Sequence, residues 1–142
     1  MTTDRYESIT ERLSALAIDT TGIDPRSGGY TPLFAYLKDL KLTVERVAAG
    51  QFTREALALV RNEVFIEFCE ASGDSITAAL YRDVIQPDEK HHHELGRKLL
   101  ARYAITVDGR EAARAACRKV LSMAEELQEI ARMKGMVCAP GC

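Results

Sequence analysis

The chain has 142 residues and a formal net charge of −2, with a sequence pI of about 5.9. This balance excludes the strongly basic surface typical of nucleic-acid-binding domains, and no apolar run reaches membrane-spanning length. The length suits one domain with a substantial buried core. Because the first residues are polar and lack the apolar segment of a secretory signal, we expect a cytoplasmic protein with reduced cysteines.

The spacing of apolar residues is helical along almost the whole sequence. It predicts a short amphipathic helix over residues 4–20 and, from the Gly and Pro content, a loop over 22–32. Four longer helices are then predicted, at 32–49, 53–71, 75–103 and 108–134. Gly50 is expected to end the first of these and Thr53 to cap the second, while Pro87 should kink or restart the third.

Long helices joined by short links pack in up-down-up-down order. The sequence therefore predicts an all-α antiparallel four-helix bundle with a short additional N-terminal helix. The expected single domain, 1–142, comprises an N-terminal helix and loop (1–31), the bundle (32–135) and a cysteine-containing tail (136–142). In that tail, a Pro-Gly turn separates Cys138 from Cys142. The pair is either a redox or soft-metal pair, or two incidental thiols.

A Glu-x-x-His pair, Glu89 and His92, carries the strongest chemical signal. Residues three apart share one face of a helix, so both side chains can reach one metal ion. His92 falls in the middle of the apolar stripe of its helix, whereas His91 and His93 flank that stripe and are expected to be more exposed. Gly96, one turn later, costs about 1 kcal/mol relative to alanine and is expected to leave room for a neighbouring group. Burying an acid beside a histidine is costly unless they pair or bind a cation. The pattern favours metal ligation over a structural pair.

Further carboxylates are expected at the same height in the bundle. The turn between the second and third long helices places Glu55 opposite the histidine. The turn between the first and second places Glu45 beside Glu55, and the last turn brings Glu126 to that level. Should the proline shift the register, Glu63 or Glu67 replaces Glu55. The predicted metal ligands are Glu89, His92, Glu55, Glu45 and Glu126.

The run from Glu89 to Leu100 (EKHHHELGRKLL) resembles the second-helix motif of rubrerythrin and the wider ferritin-like superfamily. In that superfamily a Glu-x-x-His is followed by Glu, a basic residue and paired leucines. A single ligand Glu lies on the preceding helix, and Glu55 fits its spacing. The resemblance covers about residues 53–103. It implies a carboxylate site with two iron or manganese ions that oxidises Fe(II) or reduces O₂ or peroxide.

The chain departs from that superfamily in its last helix, where Glu126-x-x-Glu129 stands in place of a second Glu-x-x-His. Three outcomes stay open. The site is asymmetric within one chain, or is shared by two chains that each supply Glu55, Glu89 and His92, or is degenerate and binds no metal. The competing hypothesis is a non-catalytic helical protein that dimerises or binds a partner. A homodimer or higher homo-oligomer is expected, with no nucleic-acid or membrane partner and an unidentified electron donor.

Overall fold

The computed structural model describes residues 2–23 and 31–135. Those residues contain helices and no strand, which confirms the all-α class. The tail that carries Cys138 and Cys142, and most of the predicted loop, lie outside these ranges. No helix within them is long and apolar enough to cross a bilayer. The helices are α1 (Thr2–Ala15), α2 (Thr31–Asp39), α3 (43–71), α4 (75–103) and α5 (Val107–Met133).

Helix α3 differs most from the prediction. A break was expected at Gly50, but the helix continues through it, with a π-helical segment, Ala48–Arg54, between α-helical turns. Gly50 has a helical conformation, and a Cβ atom added there would meet nothing within 4 Å. Thr53 does not cap a helix, because it is buried inside the π segment. The prediction of separate helices at 32–49 and 53–71 is therefore wrong.

The chain breaks instead between α2 and α3, where two side chains satisfy backbone groups. The Arg46 Nε donates to the Leu40 carbonyl oxygen at 2.9 Å. The Leu42 backbone N–H donates to the Glu45 carboxylate at 3.0 Å. Such bonds replace those that a helix interruption leaves unmade. Because neither glycine nor proline marks residues 40–42, the sequence pattern hid this break.

Helix α4 also contains a π segment, Tyr81–Ile85, immediately before its proline. The Gln86 backbone N–H donates to the Tyr81 carbonyl oxygen, one residue further back than in an α-helix. A proline lacks the next donor and crowds the preceding turn, and wide turns of this kind accommodate such interruptions. The effect expected of Pro87 therefore takes the form of a π segment within a continuous helix.

Small side chains let the long helices approach one another. One core cluster lies where α3 meets α5 and consists of Leu40, Ala48, Ala49, Ala113, Ala116 and Val120. On α4, Gly96 lies against the backbone of the α3 π segment. A Cβ atom at Gly96 would lie 2.7 Å from the Gln51 carbonyl carbon and from the Phe52 nitrogen. The space that this glycine leaves is thus taken by the protein's own backbone, and not by a ligand.

Candidate metal centre

A cavity of about 310 Å³ lies within the helical assembly, and all five helices contribute to its lining. Helix α5 supplies apolar residues only, whereas α4 supplies only Glu89 and His92. The charged and titratable lining residues are Arg5, Arg54, Glu55, Arg61, Glu89 and His92. Its size falls within the range of small-molecule and cofactor sites, which combine apolar walls with a few polar groups.

Three of the predicted ligands come together in this cavity. Glu55, Glu89 and His92 each offer one donor atom, and these atoms lie within 4.8 Å of one another. Glu89 is buried, with 5% of its surface exposed, while Glu55 and His92 are half-buried. Bonds of about 2.0–2.2 Å place the ligands of one ion roughly 3–4 Å apart. Small side-chain rotations would therefore bring all three onto a single cation.

His92 lies between two carboxylates. Its Nδ1 is 3.9 Å from Oε1 of Glu55, and its Nε2 is 3.7 Å from Oδ1 of Asp88. That Asp88 oxygen is buried and has no hydrogen-bond partner among the described residues. A metal-ligating histidine usually donates its second ring N–H to a carboxylate or carbonyl oxygen. Asp88 occupies the position of such a supporting carboxylate and is not among the predicted site residues. Its i, i+4 spacing from His92 is the sequence feature that indicates this contact.

Arg5 of α1 brings a positive charge to the same acids. Its Nη1 donates to Oδ2 of Asp88 at 2.9 Å, and its Nη2 is ion-paired with Oε1 of Glu89. A buried carboxylate is costly without such a partner. In the metal-free protein the guanidinium therefore serves as the counterion of Glu89. A metal ion that binds Glu89 must compete with it.

A second arginine anchors α1 to the start of α4. Arg12 donates to Oδ1 of Asp74 at 2.6 Å and to the Thr77 hydroxyl at 2.8 Å. Asp74 caps α4, accepting bonds from the backbone N–H of Thr77 at 3.0 Å and from its hydroxyl at 2.6 Å. The bonds from Thr77, with a smaller effect of Arg12, lower the pKa of Asp74. Two arginines seven residues apart thus hold α1 on α4.

Two predicted ligands lie outside the cluster. Glu45 precedes Glu55 by ten residues on the same helix, which is roughly 15 Å along the axis, and its carboxylate accepts the Leu42 backbone N–H. Its predicted place beside Glu55 is wrong because the turn at Gly50 does not exist. Glu126 is exposed on α5 and is not part of the cavity lining. The described residues therefore assemble three of the five predicted ligands.

The two neighbouring histidines differ from each other. His91 is exposed, as expected. His93 is half-buried, and its ring stacks on Phe52 with centroids 4.8 Å apart. Its Nδ1 lies 2.8 Å from the Phe52 carbonyl oxygen. A carbonyl oxygen can only accept a hydrogen bond, so the ring donates it from Nδ1. The expectation of exposure is wrong for His93, which ties α4 to the π segment of α3.

No family model matches the sequence, and no curated protein or solved structure shows significant similarity to it. The function is therefore inferred from the geometry and chemistry of the cavity.

Proposed function

We propose that the protein is a ferritin-like metal-binding protein that holds a divalent iron or manganese ion on Glu55, Glu89 and His92. The observation that carries this proposal is the convergence of three donor atoms, from two helices, within 4.8 Å inside a cavity. Two carboxylates with one imidazole suit Fe(II) and Mn(II). The unpartnered buried oxygen of Asp88 supports the same proposal, because it faces the ring nitrogen that His92 turns away from Glu55.

In this proposal the fold is a ferritin-like four-helix bundle formed by α2, α3, α4 and α5. Helix α2, the shortest of the four, packs against α5. The motif from Glu89 to Leu100 and the spacing to Glu55, which resemble the ferritin-like superfamily, support this arrangement. Free thiols at Cys69 and Cys117 are compatible with the cytoplasmic location that belongs to the proposal.

The proposed activity is that of an oxidoreductase. Three protein ligands leave coordination positions open to water or substrate. A bound iron or manganese ion would supply one-electron redox chemistry toward O₂ or peroxide, as the resemblance implies. The two glutamates balance the charge of the cation, Asp88 orients His92, and the apolar side chains of α5 limit the access of water. The described residues offer ligands for one ion. A second ion would require carboxylates from another copy of the chain.

Metal titration tests the proposal. Chelator-treated protein is titrated calorimetrically with Mn(II), and anaerobically with Fe(II), and O₂ consumption is then followed. We expect about one ion per chain, with binding lost in His92→Ala and Glu55→Gln and retained in His91→Ala, the exposed neighbour. Two ions per chain would indicate a dinuclear centre. Absence of binding to the wild-type protein would reject the proposal.

A second candidate function is a non-catalytic helical protein that pairs with another copy of itself. Val60, Val64 and Phe68 form a stripe at i, i+4 and i+8 on α3 and are 66%, 62% and 63% exposed. An apolar stripe of this kind is typical of an interaction face. In addition, Arg5 already neutralises Glu89, so the fold has no need of a cation there. Light scattering would show a dimer that Val64→Lys converts to a monomer, with no metal bound by either protein.

A further inference from the structure

Two arginines on α3 face the cavity. Arg54 and Arg61 are seven residues apart, which places them on one face of the helix with roughly 10 Å between their backbone positions. Leu57 and Ala58 lie between them and also line the cavity. Within residues 2–23 and 31–135, no carboxylate lies within ion-pairing distance of Arg54. A guanidinium offers five donors in a planar fork that matches a carboxylate. Arg54 therefore presents an anion-binding group to this space.

The charge balance indicates when an anion is needed. In the metal-free protein Arg5 pairs with the carboxylates of Asp88 and Glu89, and Glu55 adds a negative charge to the lining that contains Arg54. A divalent ion on the cluster adds two positive charges to this set. Charges interact more strongly in a partly enclosed site than in water. The metal-loaded cavity is thus the state that favours an anion.

The remaining walls are apolar. Helix α5 contributes Val120, Ala124 and Leu127, and Leu33 of α2 and Leu57 of α3 extend this surface. An inorganic oxyanion would leave such walls unused, whereas a short aliphatic chain would cover them and gain from leaving water. A volume of about 310 Å³ accommodates a small organic molecule beside the cluster.

We propose that the metal-loaded cavity binds a small aliphatic carboxylate as substrate or co-ligand. Its carboxylate pairs with Arg54 beside the metal cluster, and its chain lies against Val120, Ala124 and Leu127. This inference rests on the proposed metal site and adds the class of ligand that the site accepts. It also assigns Arg54 and Ala124, which the sequence pattern did not single out, to ligand binding.

Calorimetry with hexanoate tests this proposal, after Mn(II) binding has been measured separately in each protein. We expect hexanoate to bind the Mn(II)-loaded protein about tenfold more tightly than the metal-free protein, because the bound ion adds positive charge beside the carboxylate and one additional charge–charge interaction is worth about that factor. Hexanamide, which lacks the charge, should bind about tenfold less tightly than hexanoate. Inorganic phosphate, which lacks the chain, should bind more weakly as well.

Variants separate the polar and apolar parts of the proposed site. Arg54→Gln should weaken hexanoate binding about tenfold. Ala124→Leu places a larger side chain in the space proposed for the aliphatic chain and should abolish hexanoate binding. Arg118→Gln, at an exposed position on α5, should have no effect. The far-UV circular dichroism spectrum should stay unchanged in all three variants, and Mn(II) affinity should stay unchanged in Ala124→Leu and Arg118→Gln. Arg54→Gln removes a positive charge beside the cluster, so this variant should retain or increase its Mn(II) affinity.

The outcomes distinguish this inference from the proposed function. If Mn(II) binds but hexanoate binds no better than hexanamide, or is indifferent to Arg54→Gln, the ligand class is wrong and the metal site stands. Hexanoate binding that survives Ala124→Leu would also overturn the inference, since the chain would then lie elsewhere. If Mn(II) does not bind, the proposed function fails and the inference fails with it.

Discussion

Replacing Arg5 with alanine should lower the stability of the metal-free protein and increase its affinity for the metal ion. The substitution removes the guanidinium that pairs with Asp88 and with the buried Glu89. Charge-assisted bonds of this kind contribute about 1.5–3 kcal/mol each. Because 30% of the Arg5 side chain is exposed, screening reduces this value, and we expect a loss of about 2 kcal/mol. In a chain of this length, that loss corresponds to a decrease in Tm of roughly 6 °C.

The metal affinity should change in the opposite direction. Once Arg5 is gone, Glu89 no longer has a competing cation, and one positive charge beside the cluster is removed. A gain of about 1.4 kcal/mol in binding free energy is a tenfold decrease in Kd. Calorimetric titration with Mn(II) measures this change directly. Thermal unfolding in saturating Mn(II) should then restore most of the Tm that the substitution costs.

Arg12→Ala is the matched control. Arg12 also docks α1 onto α4, through Asp74 and Thr77, but it does not line the cavity. This variant should lose stability while its Mn(II) affinity stays at the wild-type value. Equal changes in affinity for Arg5→Ala and Arg12→Ala, or weaker binding by Arg5→Ala, would refute the competition between guanidinium and metal.

Three further predictions concern packing, histidine support and acid stability. Gly96→Ala should destabilise the protein by about 2–3 kcal/mol in urea unfolding, because a Cβ atom would lie 2.7 Å from backbone atoms. Gly50→Ala is the control: its Cβ atom would meet nothing within 4 Å, so this variant should be neutral or stabilised by up to about 1 kcal/mol. Equal changes in the free energy of unfolding for the two variants would contradict the close approach of α4 to α3 at Gly96. Asp88→Asn should weaken Mn(II) binding roughly tenfold in calorimetry, because His92 loses a charged acceptor. An unchanged Mn(II) affinity would show that Asp88 does not support His92 as a ligand. The lowered pKa of Asp74 means that its contribution to stability is present above its ordinary pKa of about 3.9 and is lost as the pH falls through the lower folded value. The urea midpoint should therefore fall less between pH 5 and pH 3 in Asp74→Asn than in the wild type, and parallel slopes would disprove this linkage.

The parts of the site that sequence could predict lie on one helical hairpin. Glu55 and His92 sit on helices joined by a short turn, so counting residues outward from that turn places them opposite each other. The predicted position of Glu45 is wrong because Gly50 has the sequence pattern of a helix end, although the helix continues through it. Arg5 could not be found in this way, since no short turn links α1 to α4 and a lone arginine on an amphipathic helix usually faces water. Its position depends on packing between distant segments.

Both stretches that carry the proposed ligands begin immediately after a π segment: Glu55 follows Ala48–Arg54, and α4 resumes its α-helical turns after Tyr81–Ile85, just before Glu89 and His92. A π turn contains about one extra residue, and one residue changes the azimuth of everything downstream by about 100°. The angular phase of each ligand about its helix is therefore set by the preceding wide turn. Winding either segment as an α-helix of the same length would rotate the downstream carboxylate by about 100° away from the opposing helix, whereas deleting one residue from the segment would remove the wide turn and leave that phase nearly unchanged.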